Sequence, residues 1–380
     1  MTTAAASPRK VAAASAVGAT IEWYDFFLYG TAAGLVFDQL FFNGLDGPAA
    51  QFAAFGTFAV GFVARPIGGL VFGHFGDRIG RKTMLIWTLV IMGVGTAAIG
   101  LLPTYDEIGV WAPILLVVLR VLQGIGVGGK YGGAVLLAVE FAPAQRRGFF
   151  GSFAHLGVPG GLFLASGAFA LASRLPDEAF LAWGWRACFL VSIVLLAIGA
   201  WIRLSIMETP AFQQVQAEKE ISPNPVAELV RRQPRTLLLG MGTRFIEGFT
   251  FNLFSVYLLA YSVKTVGIPR STVLNAIMVG ALLGVGLVLV SGRLSDTFGR
   301  KRVYNTGVVI ALLFAFPAAW LVTRADGTLW LVAGYNVVVA LISLGCAALL
   351  PETRGRDLHE DEAPRIPVVP DTREPQHALR

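Results

Sequence analysis

Two carboxylates, Glu22 and Asp25, stand three residues apart in an otherwise apolar and aromatic run, Ile21-Glu22-Trp23-Tyr24-Asp25-Phe26-Phe27. That spacing puts both on one face of a helix. At the centre of a membrane-crossing helix each costs roughly 2.5–3.5 kcal/mol, against a gain of about 0.3–0.6 kcal/mol per Leu, Ile or Phe, so the pair must face an aqueous cavity or basic partners. Carboxylates held there can load and release protons; ion pairing that serves structure alone is the alternative. Glu247, in an Ile246-Glu247 context that echoes Ile21-Glu22, is a third proton-coupling candidate. The cationic counterparts in apolar surroundings are Arg65, Arg120, Lys130 and Arg244. A guanidinium such as that of Arg120 is suited to grip a carboxylate with two parallel hydrogen bonds. Arg120, Arg244, Lys130 and Tyr24 are therefore the candidate substrate contacts. Arg65, beside Pro66, reads as a snorkelling or loop-bracing residue. His155 could relay protons near neutral pH or be a hydrogen-bonded packing residue. No metal cluster or nucleophile elbow is visible, and Gly126-x-Gly128 does not follow a strand, so neither an enzyme nor a cofactor is expected.

The elements that must position these residues are membrane helices. Hydrophobic residues make up 55% of the chain and charged residues 14%, and the mean hydropathy is +0.66, far above a water-soluble domain of this length. The apolar residues fall into long runs, and about 20 residues at roughly 1.5 Å rise cross a ~30 Å hydrocarbon core. A β-barrel would need alternating segments of about 10 residues, whereas Cys188 to Ile202 is apolar at every position except Ser192. The runs predict ten spans: 12–37, 50–72, 83–102, 111–136, 148–173, 184–204, 236–261, 273–292, 303–323 and 328–350. The first is too long and too acidic for a cleaved signal peptide.

Basic residues set the orientation. The segments holding Arg9, Lys10, Arg78, Arg81, Lys82, Arg146, Arg147, Arg203, Lys219, Arg231, Arg232, Arg235, Arg293, Arg300, Lys301, Arg302 and the basic residues of the tail fall on one side. The other side holds Arg174, Arg186, Lys264, Arg270 and Arg324. The positive-inside rule then places both termini in the cytoplasm, with the chain multi-pass in the cell (inner or plasma) membrane. The same asymmetry accounts for the net charge of +6, so no nucleic-acid partner is invoked. Cys188 and Cys346 lie within spans and are expected to be free packing residues.

Two loops share a motif, Gly73-x-x-x-Asp77-x-x-Gly80-Arg81-Lys82 and Gly292-x-x-x-Asp296-x-x-Gly299-Arg300-Lys301, with Arg78 following Asp77 in the first. Identical residues at one constant offset, each set between two spans, point to duplicated transporter halves. Gly allows close helix approach, while Asp and the basic residues cap and pair helix ends. The expected organisation is an N-terminal six-helix half (1–204), a cytoplasmic linker (205–235), a shortened C-terminal half of about four helices (236–350) and a cytoplasmic tail (351–380). Four spans follow the first motif before the linker but two follow the second before the tail, so one helical pair is expected to be absent, with a seam near Leu331 to Asn336.

The stretch Gly18-Ala19-Thr20-Ile21-Glu22-Trp23-Tyr24-Asp25-Phe26-Phe27-Leu28-Tyr29-Gly30 resembles the first helix of the metabolite:proton symporter family of the major facilitator superfamily. Gly73-His74-Phe75-Gly76-Asp77-Arg78, Leu122-Gln123-Gly124, Tyr131-Gly132-Gly133-Ala134, Glu208-Thr209-Pro210 and Pro351-Glu352-Thr353-Arg354-Gly355 extend the resemblance over nearly the whole chain. Trp183-Gly184-Trp185-Arg186 inclines it toward the shikimate and dehydroshikimate permeases. The resemblance implies an all-α, two-half helical bundle and proton-coupled symport of a small organic anion by alternating access. Two departures stand against it. Gly128-Gly129-Lys130 replaces the family's Gly-Gly-Glu, and the absent pair corresponds to the family's helices ten and eleven, leaving about ten transmembrane helices instead of twelve. The contrasting expectation is an internally deleted, non-transporting membrane protein or an interaction partner that retains part of the fold; among partners, a homo-oligomer is also considered.

Overall fold

The computed structural model of the chain describes residues 8–79, 81–128, 139, 142–204, 230–231, 233–323 and 330–353. Among them there are helices and connecting turns, and no strand. The long helices are α1 (Pro8–Leu35), α2 (Gly47–Ile79), α3 (Arg81–Gly100), α4 (Trp111–Gly128), α5 (Arg147–Ala172, with a joint at Leu156), α6 (Trp185–Leu204), α7 (Pro234–Lys264), α8 (Arg270–Phe298), α9 (Arg300–Thr323) and α10 (Trp330–Leu349). Six segments, in α2, α4, α5, α6, α7 and α8, are long and apolar enough to cross a bilayer. Their lipid-type faces are exposed: Leu282, Leu283 and Leu287 of α8 each keep more than 60% of their surface. Such an exposed apolar band suits a hydrocarbon solvent, where helices must satisfy every backbone group internally. The side chains of the first loop motif, Gly73 to Lys82, together with Lys130, most of the 205–235 linker and the tail beyond Thr353, lie outside the described residues.

Small residues decide how closely the helices pack. A Cβ at Gly124 of α4 would stand 2.7 Å from the Cβ of Ala64 on α2, and one at Gly68 of α2 would stand 2.7 Å from the Ile125 carbonyl carbon. The backbones of α2 and α4 therefore touch along a seam, the arrangement that small residues permit in membranes. On the other flank α1 and α5 meet the same way, since a Cβ at Gly160 would lie 2.8 Å from the Thr20 hydroxyl. Aromatic rings fill the centre of α1: Phe26 and Phe27 lie 5.2 Å apart edge-on, and Phe26 stacks obliquely 5.0 Å from Phe58 of α2.

α7 is interrupted twice. At Arg244 the helical ladder opens, and the Ser343 hydroxyl of α10 enters the gap, accepting from the Ile246 N–H at 3.1 Å and donating to the Gly242 carbonyl at 2.9 Å. A side chain inserted into the i→i−4 ladder is a recognised cause of such a break. Further along, Leu253–Tyr257 forms a π turn.

The first six helices meet the last four at both ends of the bundle. At the end where α1 finishes, Lys264 bonds Asp38 and Gln51 at 2.5 Å each, and Arg270 pairs with Asp177 while lying 4.1 Å over the Phe180 ring. Gly30 and Gly34 of α1 let Val256 and Ala260 of α7 approach there. At the opposite end the second loop motif is built as expected. Asp296 accepts hydrogen bonds of 2.8 Å from the N–H groups of Gly148 and Phe149, at the start of α5, and pairs with Arg300 at 2.9 Å. A carboxylate on exposed N–H groups of a helix start is favoured by the local dipole. Gly299 adopts φ +99°, a conformation that glycine takes without strain. Glu352 in turn accepts from the N–H groups of Arg300 and Lys301 at 3.0 Å each, and Lys301 reaches the Ala348 and Leu350 carbonyls. Asp296→Ala should remove the charge-assisted bonds to α5 and cost about 2 kcal/mol, read as a lowered thermal midpoint of the detergent-solubilised protein. An unchanged midpoint would show that water replaces them.

Candidate functional site

Asp25 is 5% exposed at the middle of α1, with its carboxylate accepting a 2.9 Å hydrogen bond from the Ser192 hydroxyl of α6. Arg120, 4% exposed on α4, faces the same interior. Its guanidinium carbon lies 4.1 Å over the Tyr29 ring, 5.1 Å over Phe58 and 5.5 Å over Phe26. Cations on aromatic faces gain from the ring quadrupole, most where water is excluded. Room for this guanidinium comes from Gly61 on α2, where a Cβ would sit 2.6 Å from Arg120 Nε. From Arg120 a buried polar chain runs on: Arg120 donates to Gln123 at 3.3 Å, Gln123 to Thr96 at 2.7 Å, and Thr96 to the Met92 carbonyl at 2.9 Å.

These groups enclose a cavity of about 10 Å³ lined by Asp25, Phe26, Gly61, Arg65, Arg120 and Gln123, with Met92, Gly124 and Val127 completing the wall. That volume is about one water molecule. It holds a carboxylate that can take a proton and guanidiniums that can take an anion.

The sequence-selected residues divide into three groups. Asp25 and Arg120 are brought together. Glu22 lies one turn before Asp25, half-buried, and is not among the cavity-lining residues. Tyr24 is not among the cavity-lining residues: its ring is buried and its hydroxyl donates to the Cys188 carbonyl at 2.7 Å, linking α1 to α6. Arg65, which the sequence suggested as a snorkelling or loop-bracing residue, lines the cavity, 4.4 Å over the Phe62 ring and 4.8 Å over Phe26.

Glu247 and Arg244 form a separate cluster. Arg244 pairs with Glu247 at 2.5 Å, and His155 of α5 reaches the other Glu247 oxygen at 3.0 Å. Glu247 is thus tied to both α7 and α5, each of these side chains keeping a third or more of its surface. Gln123, Ser192 and Thr96 were not singled out from the sequence as site residues. Ser192 had a signal, being the lone hydroxyl in the apolar run of α6. Both cysteines are free, as expected, with Cys188 buried.

The profile of the Major Facilitator Superfamily matches residues 15–353 of the chain. The chain belongs to that superfamily. Among its relatives, the shikimate transporter of Escherichia coli (strain K12) is 43% identical over 342 residues, covering 88% of this chain and 77% of its own length. The inner membrane metabolite transport protein YhjE of the same organism is 44% identical over 319 residues, covering 82% of this chain and 72% of its own. A crystal structure of a D-xylose-proton symporter matches the fold with a TM-score of 0.61 at 19% identity, covering 89% of this chain and 79% of that one. As a member of the superfamily the chain is a multi-pass membrane transporter rather than an enzyme, and its substrate is a small molecule.

Proposed function

We propose that this transporter carries a small organic anion, shikimate-like or another carboxylate metabolite, together with a proton by alternating access. The observation that supports the reading most directly is the small cavity lined by both the buried carboxylate Asp25 and the buried guanidinium of Arg120 inside the bundle. Protonated Asp25 leaves Arg120 free to hold the substrate carboxylate; with the substrate gone, ionised Asp25 is the internal counter-charge. Burying the loaded site is then cheaper than burying an unbalanced charge. Relatives that include a shikimate transporter support a carboxylate substrate. The Glu247–Arg244–His155 cluster serves as a second polar station, contributed jointly by α5 and α7.

In this reading the helices α1–α6 and α7–α10 are the two halves, the loop motifs and both termini face the cytoplasm, and two helices of the superfamily plan are absent between α9 and α10. The covering of only 77% of the shikimate transporter's length accords with a shorter chain.

Symport of a monoanion with one proton moves no net charge, so the pH gradient and not the membrane potential drives it. Each pH unit is worth about 1.36 kcal/mol, or about tenfold accumulation. Proteoliposomes holding the full chain, acidified outside, should therefore concentrate labelled shikimate or a related acid by up to that factor, with little response to an imposed potential. Uptake that follows the potential and ignores pH would rule this coupling out.

A further inference from the structure

Arg65 is the cavity residue that the coupling reading leaves without a task. Its guanidinium lies on the faces of Phe62 and Phe26 at 4.4 and 4.8 Å. Its Nε is buried with no hydrogen-bond partner, and so is the Nε of Arg120. Among the described residues, Arg65 is held by rings and not by a carboxylate. Both cations share Phe26 as a floor and border the same small space, where Asp25 is the one carboxylate among the lining residues.

Two guanidiniums converging on one cavity repel each other, and unmatched N–H donors at membrane depth are costly. Rings soften that cost but supply no acceptor. The missing complement is an anion with at least two acceptor oxygens, the chemistry that a planar fork of donors recognises. Gly61 and Gly124 let α2 and α4 close on each other, and Arg65 lines the cavity beside them.

Resting on the reading of this cavity as the substrate site, we infer that Arg65 is a second substrate ligand, and that Arg65 and Arg120 together grip one carboxylate and so select organic anions over neutral and zwitterionic molecules of similar shape. An uncharged ester of the same acid offers no charged acceptor pair. A zwitterion brings a cationic group toward two guanidiniums. The ring floor suits a cyclic or otherwise apolar body behind the carboxylate.

The test uses the full chain in detergent, with binding of shikimate, its methyl ester and glycine betaine each measured by equilibrium competition. The wild type should prefer the acid over the ester. Arg65→Gln should weaken the acid by about tenfold to a hundredfold, the range of one lost charge-assisted contact, while leaving the ester unchanged, so that selectivity collapses without loss of the site. Arg65→Lys, which restores charge but not the fork, should recover part of the loss. An acid affinity equal to wild type in Arg65→Gln, or equal losses for acid and ester, overturns the role of Arg65 and leaves the anion-symport reading standing. A wild type that binds none of the organic acids overturns that reading and this inference with it.

Discussion

Asp25→Asn is expected to abolish pH-driven accumulation while substrate exchange across the membrane persists within about threefold of wild type. The amide can still accept from Ser192 through its oxygen, so the 2.9 Å link between α1 and α6 has a replacement and the fold should survive. What the amide cannot do is titrate. Without a proton cycling on residue 25, the inside-to-outside ratio should fall from about tenfold per pH unit to unity. Counterflow needs the cavity to open alternately but needs no net proton movement. Accumulation at the wild-type level in the variant would remove Asp25 from coupling and turn attention to Glu22 and Glu247.

Gly124→Val should do more damage than any charge substitution outside the cavity. Even the first added carbon would stand 2.7 Å from Ala64 Cβ and press on the Gly61 carbonyl. A valine adds two more. Neither helix can yield cheaply, because the obstacle is backbone and not a flexible chain end. Overpacking of this kind costs about 3 kcal/mol or more, and forcing α2 from α4 would also part Arg65 and Gly61 from Arg120. The expected result is loss of a monodisperse, ligand-binding protein on solubilisation. Gly56→Val, on the same α2 helix but with open space around it, should leave the stability within about 0.5 kcal/mol of wild type. If Gly124→Val solubilises and binds like wild type, the seam is looser than the geometry implies.

Legibility in the sequence followed the cost of burial. Asp25 and Arg120 could be found because an ionised group in an apolar run is expensive enough to demand a reason. The all-helical membrane plan was legible for the same cause, since long apolar runs have few other solutions. The place of Arg65 at the cavity was hard to see, because its sequence neighbours, Pro66 and the loop motif, suggest a helix end. The close approach of α2 and α4 depends on glycines of both helices, and contact between distant glycines leaves no charge or periodicity to detect. Gln123 and Thr96 escaped because uncharged polar residues are common in membrane helices, and only tertiary packing shows them linked. Tyr24 neighbours Asp25 in sequence, yet adjacent residues on a helix point about 100° apart, and its hydroxyl goes to α6.

The π turn of α7 separates the stretch that carries Arg244 and Glu247 from the seven residues that end in Lys264. A turn with its hydrogen bonds spread over an extra residue bends more readily than regular helix. Those last seven residues bury Leu259 and Ala260 and end at the Lys264 contacts with Asp38 and Gln51. The Lys264 side chain is a quarter exposed, within reach of dissolved ions, whose screening acts over about 8 Å at physiological salt. The grip of Lys264 on Asp38 is therefore shared between the chain and its medium: dilute surroundings strengthen it, and concentrated ones weaken it.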